Sequence, residues 1–383
     1  MAEKTTEQAE PRGSLGEIAR AFLWLGFVAF GGPAAHIAMM EDEFVRRREW
    51  LTRERFLDLV GAVGLLPGPS STELAIYLGQ IRGGIPGLIA AGAAFILPAA
   101  VLVVGLAWAY VRYGAAPQLA GILFGVKPVV VVLIAQAVWS LARAALKSKE
   151  LAFLAAVVVV LAAFRVSTIA LLIGTGVAWI VAQRPGGWRA AIGSAGSAAV
   201  SASTGSIVAS SSILFYFLKV GAVLVGSGYV LLAVLHADLV VRLHWLTEAQ
   251  LLDAVAVSQA TPGPFFTVAT FIGYVLAGWK GAALATTGMF LPAFAYVGAT
   301  ARFLPRLRQS PTAAMFLDGV NAAAVALMAF VGFEFARATL LNAPAGVICA
   351  VAALLFFRYR MNSAWLVLFG AAAGVVFRLL HFT

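Results

Sequence analysis

Charged residues are scarce in this chain. Asp, Glu, Lys and Arg make up 11% of the 383 residues, less than half of the roughly 25% usual in a soluble domain. Hydrophobic residues make up 62%, and apolar runs such as 85–110 and 119–141 recur along the sequence. About 20 apolar residues cross a bilayer as a helix. The composition therefore predicts an all-α polytopic membrane protein.

Other absences exclude several classes of function. The single cysteine, Cys349, excludes an intrachain disulfide and a multi-cysteine metal site, and the histidines show no metal-ligand spacing. A Walker loop is absent, which disfavours ATP-driven transport. We find neither a convergent catalytic set nor a terminus long enough for a receptor's output domain. We therefore expect no enzyme activity, no cofactor and no metal; a membrane enzyme or a receptor is the weaker alternative.

The net charge of +10 does not indicate nucleic-acid binding. The arginines lie at the ends of apolar segments, where the positive-inside rule places them. Residues 1–14 are polar and lack an apolar core, which predicts a disordered tail and no cleaved signal peptide.

The chain contains one pattern twice, at a spacing of 195 positions that becomes 194 after a one-residue gap. Matched pairs include Phe22 with Phe217, Trp50-Leu51-Thr52 with Trp245-Leu246-Thr247, Pro67-Gly68-Pro69 with Pro262-Gly263-Pro264, and Leu97-Pro98 with Leu291-Pro292. Two hydrophobic copies broken by Gly and Pro at matching places are typical of secondary transporters, whose site lies at the repeat interface. We divide the chain into a tail (1–14), a first repeat (15–184), a Gly/Ala/Ser-rich linker (185–211) and a second repeat (212–383).

The distribution of positive charge predicts that the two repeats are inverted. Loop 41–55 contains five arginines, whereas its counterpart 236–250 contains one. At the next matched loops the bias is reversed: the loop of the first repeat contains only Arg112, and its counterpart contains Arg302, Arg306 and Arg308. Parallel repeats would keep the same bias. We expect a multi-pass protein of the inner (plasma) membrane with a cytoplasmic N-terminus and an outside C-terminus.

Matched helix breaks are the strongest candidates for a binding site. Pro67-Gly68-Pro69 separates two apolar pieces of about 11 residues, each long enough to reach halfway through the bilayer core. This pattern predicts a re-entrant helix pair. Ser70, Ser71 and Thr72 follow, and the N–H groups that begin a helix suit an anion. A structural kink is the alternative. The break Gly31-Gly32-Pro33, matched by Gly226-Ser227-Gly228, lines the site or lets helices pack closely.

Ionisable groups within apolar segments complete the predicted site. Lys127 is the predicted cationic ligand. Glu73 is a predicted proton carrier or gate, with pairing to Arg82 as the alternative. The predicted coupling or gating residues are Glu73, Asp58, Asp253 and His36. The predicted substrate-binding residues are Gly31, Gly32, Pro33, Pro67, Gly68, Pro69, Ser70, Ser71, Thr72, Lys127, Gly226, Ser227, Pro262, Gly263, Pro264, Thr267 and Asn321.

The segments FGGPAAHIAMMEDEFVRRREWLT, LLPGPSSTELAIYLG and GIPGLIAAGAAFILPA resemble the chromate ion transporter family in its two-domain form, and QATPGPFFTVATFIGY matches in the second repeat. The resemblance covers nearly the whole chain. It implies a secondary carrier that exports chromate and confers chromate resistance. Sulfate is the expected competitor, because both are tetrahedral dianions. Phe265 and Phe266 replace Ser70 and Ser71 in the second repeat, so we expect the first repeat to contact the anion.

Two transport alternatives remain open: a carrier of sulfate or another anion, and a passive channel. The expected partners are chromate, with sulfate as a second anion, and the lipid bilayer, without nucleic acid. A homodimer is the one oligomer that we include among the expected partners. The sequence does not identify the coupling ion.

Overall fold

The computed structural model describes residues 13–64, 66–114, 117–183, 210–224, 230–300 and 311–380. This part of the chain is helical and contains no β-strand, which confirms the all-α prediction. Most of the predicted tail and linker, and all of Gly226-Ser227-Gly228, lie outside the described residues.

Seven described helices of the first repeat have seven counterparts in the second. The first set is α1 (Leu15–Val28), α2 (Gly32–Glu41), α3 (Arg53–Val63), α4 (Ser70–Tyr113), α5 (Pro117–Ala145), α6 (Lys149–Ala163) and α7 (Thr168–Ala182). The second set is α8 (Ser210–Val223), α9 (Val230–Leu235), α10 (Glu248–Ala260), α11 (Val268–Thr300), α12 (Pro311–Thr339), α13 (Ala343–Tyr359) and α14 (Ser363–Leu379). A π-helical segment follows both α2, over Asp42–Arg47, and α9, over His236–Arg242.

Four described stretches are long and apolar enough to cross a membrane: Ser70–Tyr113, Ala120–Ala145, Phe265–Thr300 and Pro311–Thr339. Large apolar side chains such as Trp139, Phe153 and Trp365 are exposed on the helices that surround the core. Such a surface is stable when it faces lipid, so the composition and the structure agree on a multi-pass membrane protein.

Each repeat contains a short helix, a tight turn and a kinked long helix, as the breaks predicted. The repeated Trp-Leu-Thr motif ends in the N-cap: Thr52 Oγ1 accepts a hydrogen bond from the Arg55 N–H at 3.3 Å, which begins α3. The 11-residue α3 then leads into the Pro-Gly-Pro turn and α4. Non-helical backbone interrupts α4 at Gly84 and α11 at its counterpart Gly278. The arms beside each turn are therefore short, which confirms the prediction of broken, re-entrant helices.

The central glycine of each Pro-Gly-Pro turn has a backbone conformation that side chains rarely allow. Gly68 has φ +135° and Gly263 has φ +91°. A Cβ atom disfavours this region, so glycine is the residue that permits the reversal of direction.

The arrangement of α4 and α11 confirms that the repeats are inverted. Gly92 of α4 lies against Phe294 of α11, and Leu88, one turn earlier in α4, lies against Gly298, one turn later in α11. The two helices are therefore antiparallel, although they occupy equivalent positions in the two repeats. A two-fold axis that relates two antiparallel helices runs perpendicular to them. For helices that span a membrane, such an axis lies in the membrane plane.

The two ends of the molecule differ in spite of this pseudo-symmetry. Helix α10 packs on α5 and α14, whereas its counterpart α3 packs on α2 and α4. The equivalent residues Leu57 of α3 and Leu252 of α10 are 50% and 3% exposed. The end formed by α10 is thus packed more tightly than the end formed by α3, and we call these the closed end and the open end.

Candidate functional site

The two Pro-Gly-Pro turns are held by reciprocal hydrogen bonds between the repeats. The Gly68 N–H donates to the Leu224 carbonyl at 2.7 Å, and the Gly263 N–H donates to the Ala29 carbonyl at 2.8 Å. Ala29 and Leu224 are themselves equivalent and precede the first break of each repeat. These two turn amides are therefore occupied, and the backbone donors left for an anion are those that begin α4.

His36 connects the first break of repeat one to the start of α4. Its ring is buried, with Nε2 at 3.1 Å from the Ala29 carbonyl and Nδ1 at 3.3 Å from Ser71 Oγ. A carbonyl can only accept, so Nε2 carries the proton, and in the neutral ring Nδ1 accepts from the Ser71 hydroxyl. The Ala29 carbonyl thereby accepts hydrogen bonds from both the His36 ring and the Gly263 N–H. This shared acceptor brings the turn of repeat two next to the polar residues of repeat one.

Two polar side chains next to Ser71 are buried without a hydrogen-bond partner. They are Thr72, through Oγ1, and Glu73, through both carboxyl oxygens. Glu73 is 0% exposed, and a Cβ atom on Gly68 would lie 2.6 Å from its Oε1. The alternative pairing with Arg82 is not formed, because neither carboxyl oxygen of Glu73 has a partner; Arg82 forms an ion pair with Glu17 at 3.6 Å. We call Gly68, Ser71, Thr72, Glu73 and His36 the turn cluster.

The second repeat shows that the fold itself does not require a polar turn cluster. Three of its residues at these positions are buried and apolar, whereas Gly263 and Thr267 match Gly68 and Thr72. His36, Ser71 and Glu73 correspond to Leu231, Phe266 and Val268. Burying polar groups without partners costs free energy. An intramembrane ionisable group that the fold does not need is a candidate for function.

Lys127 forms an ion pair with Asp253 of the second repeat, and its role as a ligand of the anion stays a prediction. Its Nζ is 3.1 Å from Asp253 Oδ1, and the Tyr110 hydroxyl donates to Asp253 Oδ2 at 3.1 Å. This ion pair joins α5 to α10 at the closed end. Asp253 lies seven residues before Ala260, the last residue of α10. The helix rises roughly 10 Å over these residues, which separates Asp253 from the Pro-Gly-Pro turn of the second repeat. We call Lys127 and Asp253 the closing pair.

The other predicted residues occupy different environments. Asp58 is exposed on α3, and Asn321, the counterpart of Lys127, is half-buried on α12. The Thr267 hydroxyl donates to the Pro264 carbonyl at 2.9 Å within its own turn. Gly31 is exposed, while Gly32, Pro33, Pro67 and Ser70 are half-buried and Pro69, Pro262 and Pro264 are buried. A surface cavity of about 280 Å³ beside α1 and α2 is lined by none of these residues.

Sequence reasoning missed two features of the site. The carbonyls of Ala29 and Leu224 could have been found, because the repeat alignment places both two residues before a break. Tyr110 gave no such signal, since its partner Asp253 is 143 residues away.

The chain is similar throughout its length to known transport proteins. The family model described as "Chromate transporter" matches residues 16–180 and 211–375. The chain is 31% identical over 382 residues to the chromate transport protein of Cupriavidus metallidurans, covering 97% of this chain and 95% of that protein. It is 31% identical over 390 residues to the chromate transport protein of Pseudomonas aeruginosa, covering 97% and 94%. No solved structure matches the chain.

Proposed function

The chain belongs to the chromate transporter family, and from this premise we propose that it is a secondary active transporter that exports chromate across the inner membrane. Its relatives are named transport proteins, and the chain is likewise a transporter rather than an enzyme. Export, the coupling to an existing gradient and competition by sulfate are the proposed parts of this function. Assembly as a homodimer and the linker boundary at 185–211 stay predictions.

The observation that carries the proposal is that His36, Ser71 and Glu73 of the turn cluster are polar where the second repeat has apolar residues. Chromate is a tetrahedral dianion and needs several hydrogen-bond donors in different directions. The first N–H groups of α4 and the hydroxyl of Thr72 provide such donors at the repeat interface. The Thr72 hydroxyl has no partner yet. We therefore propose that the first repeat binds the anion, mainly through the segment Pro67–Thr72.

Lys127 has a separate proposed role at the closed end. Its ammonium is held by Asp253 and is 23% exposed. A dianion that reached this point would compete with the Asp253 carboxylate for Lys127, so we propose that the closing pair forms a gate. Asn321, the counterpart of Lys127 in the second repeat, has a proposed role as a neutral contact for the anion.

Export of a dianion agrees with the membrane potential. An inside-negative potential of 100 mV is worth about 2.3 kcal/mol for each charge, so about 4.6 kcal/mol favours outward movement of two charges. If the arginine-rich loop 41–55 is cytoplasmic, the open end formed by α3 faces the cytoplasm, which is the side from which an exported anion enters.

Transport into proteoliposomes tests the proposal directly. The purified chain should move labelled chromate when a potential is imposed, and external sulfate should inhibit it. Unlabelled chromate on the opposite side should accelerate the exchange, which a passive channel would not support. Thr72→Val should weaken chromate affinity by about tenfold, the loss of one hydrogen bond to a charged group.

The matched control for this variant is Thr175→Val. The Thr175 hydroxyl is also buried, but it donates to the Leu171 carbonyl within α7 and lies outside the proposed site. Equal affinity of the Thr72→Val and Thr175→Val proteins for chromate would remove Thr72 from the site. Preferential transport of sulfate would identify the alternative anion carrier.

A further inference from the structure

We propose that Glu73 is the proton-binding group of the transport cycle and that the oxyanion binds at the turn cluster only while this carboxyl is protonated. One proton then travels with each anion. The inference rests on the proposed function, because it names the coupling ion of that same site.

The Glu73 carboxyl is isolated from polar partners. The side chain is fully buried, and neither oxygen has a hydrogen-bond partner. No described basic side chain forms an ion pair with it, in contrast to Glu17, Glu43 and Asp253. A buried charge without a partner is costly, so the neutral acid is the form that this occluded environment accommodates.

The Glu73 carboxyl also lies next to the proposed anion site. Glu73 lies in the first turn of α4, and its Oε1 faces Gly68, beside the donors proposed for the anion. An ionised carboxylate there would repel a dianion strongly, whereas a carboxylic acid can donate a hydrogen bond to it. Occupancy by the anion and protonation of Glu73 therefore favour each other.

The neighbouring titratable groups are engaged elsewhere. From α2, His36 contacts Ala29 and Ser71. On α4 itself, Tyr77 and Arg82 lie further along the helix, where Arg82 pairs with Glu17. From α3, Arg55 lies near enough to Tyr77 to influence it electrostatically. The groups that pack on the turn from the second repeat, Leu224 and Ala293, are apolar.

The second repeat provides an independent control on this argument. Val268, at the position of Glu73, is buried after the equivalent turn and has an aliphatic side chain. The carboxyl at position 73 is therefore not required to build the turn.

The proton step involves no other bond. A carboxylate oxygen of Glu73 accepts one proton from water on the side from which the anion enters, and the O–H bond forms. After reorientation and departure of the anion the O–H bond breaks, and the proton leaves to water on the opposite side. Each cycle then moves a dianion and one proton, so the net charge is one. The membrane potential still favours export, but it acts on one net charge per cycle in place of two.

Binding and transport of chromate by the purified full chain test the inference. Protonation is lost as pH rises, so the affinity of the wild-type protein should fall with rising pH, by about tenfold per pH unit once the carboxyl titrates. Glu73→Gln is always neutral and should bind with an affinity that lacks this dependence. Both proteins meet the same mixture of chromate species, so their ratio isolates Glu73. The reversal potential should give one charge per anion for wild type and two for Glu73→Gln.

Glu150→Gln is the matched control, since Glu150 begins α6 and is exposed. The Glu150→Gln protein should keep the wild-type pH dependence of chromate affinity and the wild-type charge moved per anion. Equal pH dependence in wild type and Glu73→Gln would overturn the inference, as would dependence on Na⁺ in place of H⁺.

A measurement on the wild type alone covers the case in which Glu73→Gln does not fold. Calorimetry in two buffers of different ionisation enthalpy counts the protons taken up per chromate bound. We expect one at alkaline pH, where chromate is a dianion, and zero would overturn the inference. If the wild type moves no chromate at all, the proposed function fails; chromate transport without proton uptake overturns only the role of Glu73.

Discussion

Lys127 of the first repeat and Asp253 of the second lie 3.1 Å apart and join α5 to α10 at the closed end of the molecule. The pseudo-symmetric pair is Asn321 and Asp58. Asparagine carries no charge to attract Asp58, which is exposed at the open end. In the gate proposed above, the ion pair between Lys127 and Asp253 must separate before the α10 end opens.

Removing the charge of Asp253 should loosen the closed end. In a protein whose Cys349 is replaced by Ser, a cysteine at Leu252 should react slowly with a polar thiol reagent and a cysteine at Leu57 rapidly, because these side chains are 3% and 50% exposed. Adding Asp253→Asn should accelerate the reaction at position 252 by roughly tenfold, since one partner of a largely buried ion pair is lost. An unchanged rate at 252 would contradict the gate.

Exchanging the two charges separates the gate from anion binding. Lys127→Met should abolish transport under either role. The double variant Lys127→Asp with Asp253→Lys should restore slow labelling at position 252, because opposite charges still face each other. We expect transport to stay absent, since the cation has moved from α5 to α10. Recovery of transport by the double variant would limit Lys127 to the gate.

The membrane orientation follows from cysteines at Glu49 and His244. These residues are equivalent in the two repeats, both are exposed, and they share a left-handed backbone with φ of 49° and 53°. Inverted repeats should place them on opposite faces. An impermeant reagent added outside intact cells should therefore label position 244 and leave position 49 unlabelled. Labelling of both from one side would contradict this topology.

Much of this architecture was accessible from the sequence, but the difference between the two ends was not. Helix breaks and charge bias are local features, so the re-entrant turns and the inversion could be predicted. Leu57 and Leu252 are the same residue in the same motif, yet their exposures differ widely. Repeated sequence specifies two equivalent conformations, and which repeat adopts the packed one depends on contacts between distant helices. The pairing of Lys127 with Asp253 was missed for the same reason.

Replacing the turn glycines should destabilise both turns, with unequal results. Alanine at a positive φ costs roughly 1–2 kcal/mol. At Gly68 the added Cβ meets the flexible end of Glu73, whereas at Gly263 it meets the Cβ of Ala99, each at 2.6 Å. Gly263→Ala should therefore lower the thermal midpoint in detergent more than Gly68→Ala. Gly68→Ala should reduce chromate affinity more, because the displaced Glu73 lies in the turn cluster. A larger loss of stability at Gly68 would contradict the contacts described.

Glu73 and His36 should respond in opposite ways to replacement by leucine. Glu73 has no partner for either carboxyl oxygen, so Glu73→Leu removes an unsatisfied buried group and should raise stability by roughly 1–3 kcal/mol. His36 has two partners, and His36→Leu leaves the Ser71 hydroxyl without one, so stability should fall by a similar amount. Leucine is the natural residue at the His36 position in the second repeat, as Leu231, so the shape is tolerated there. Thermal unfolding in detergent measures both changes, and chromate transport should be lost in both variants. A gain in stability that accompanies loss of transport is the expected mark of a residue kept for function rather than for the fold. If Glu73→Leu were destabilising, the carboxyl would have a stabilising role that the present contacts do not contain.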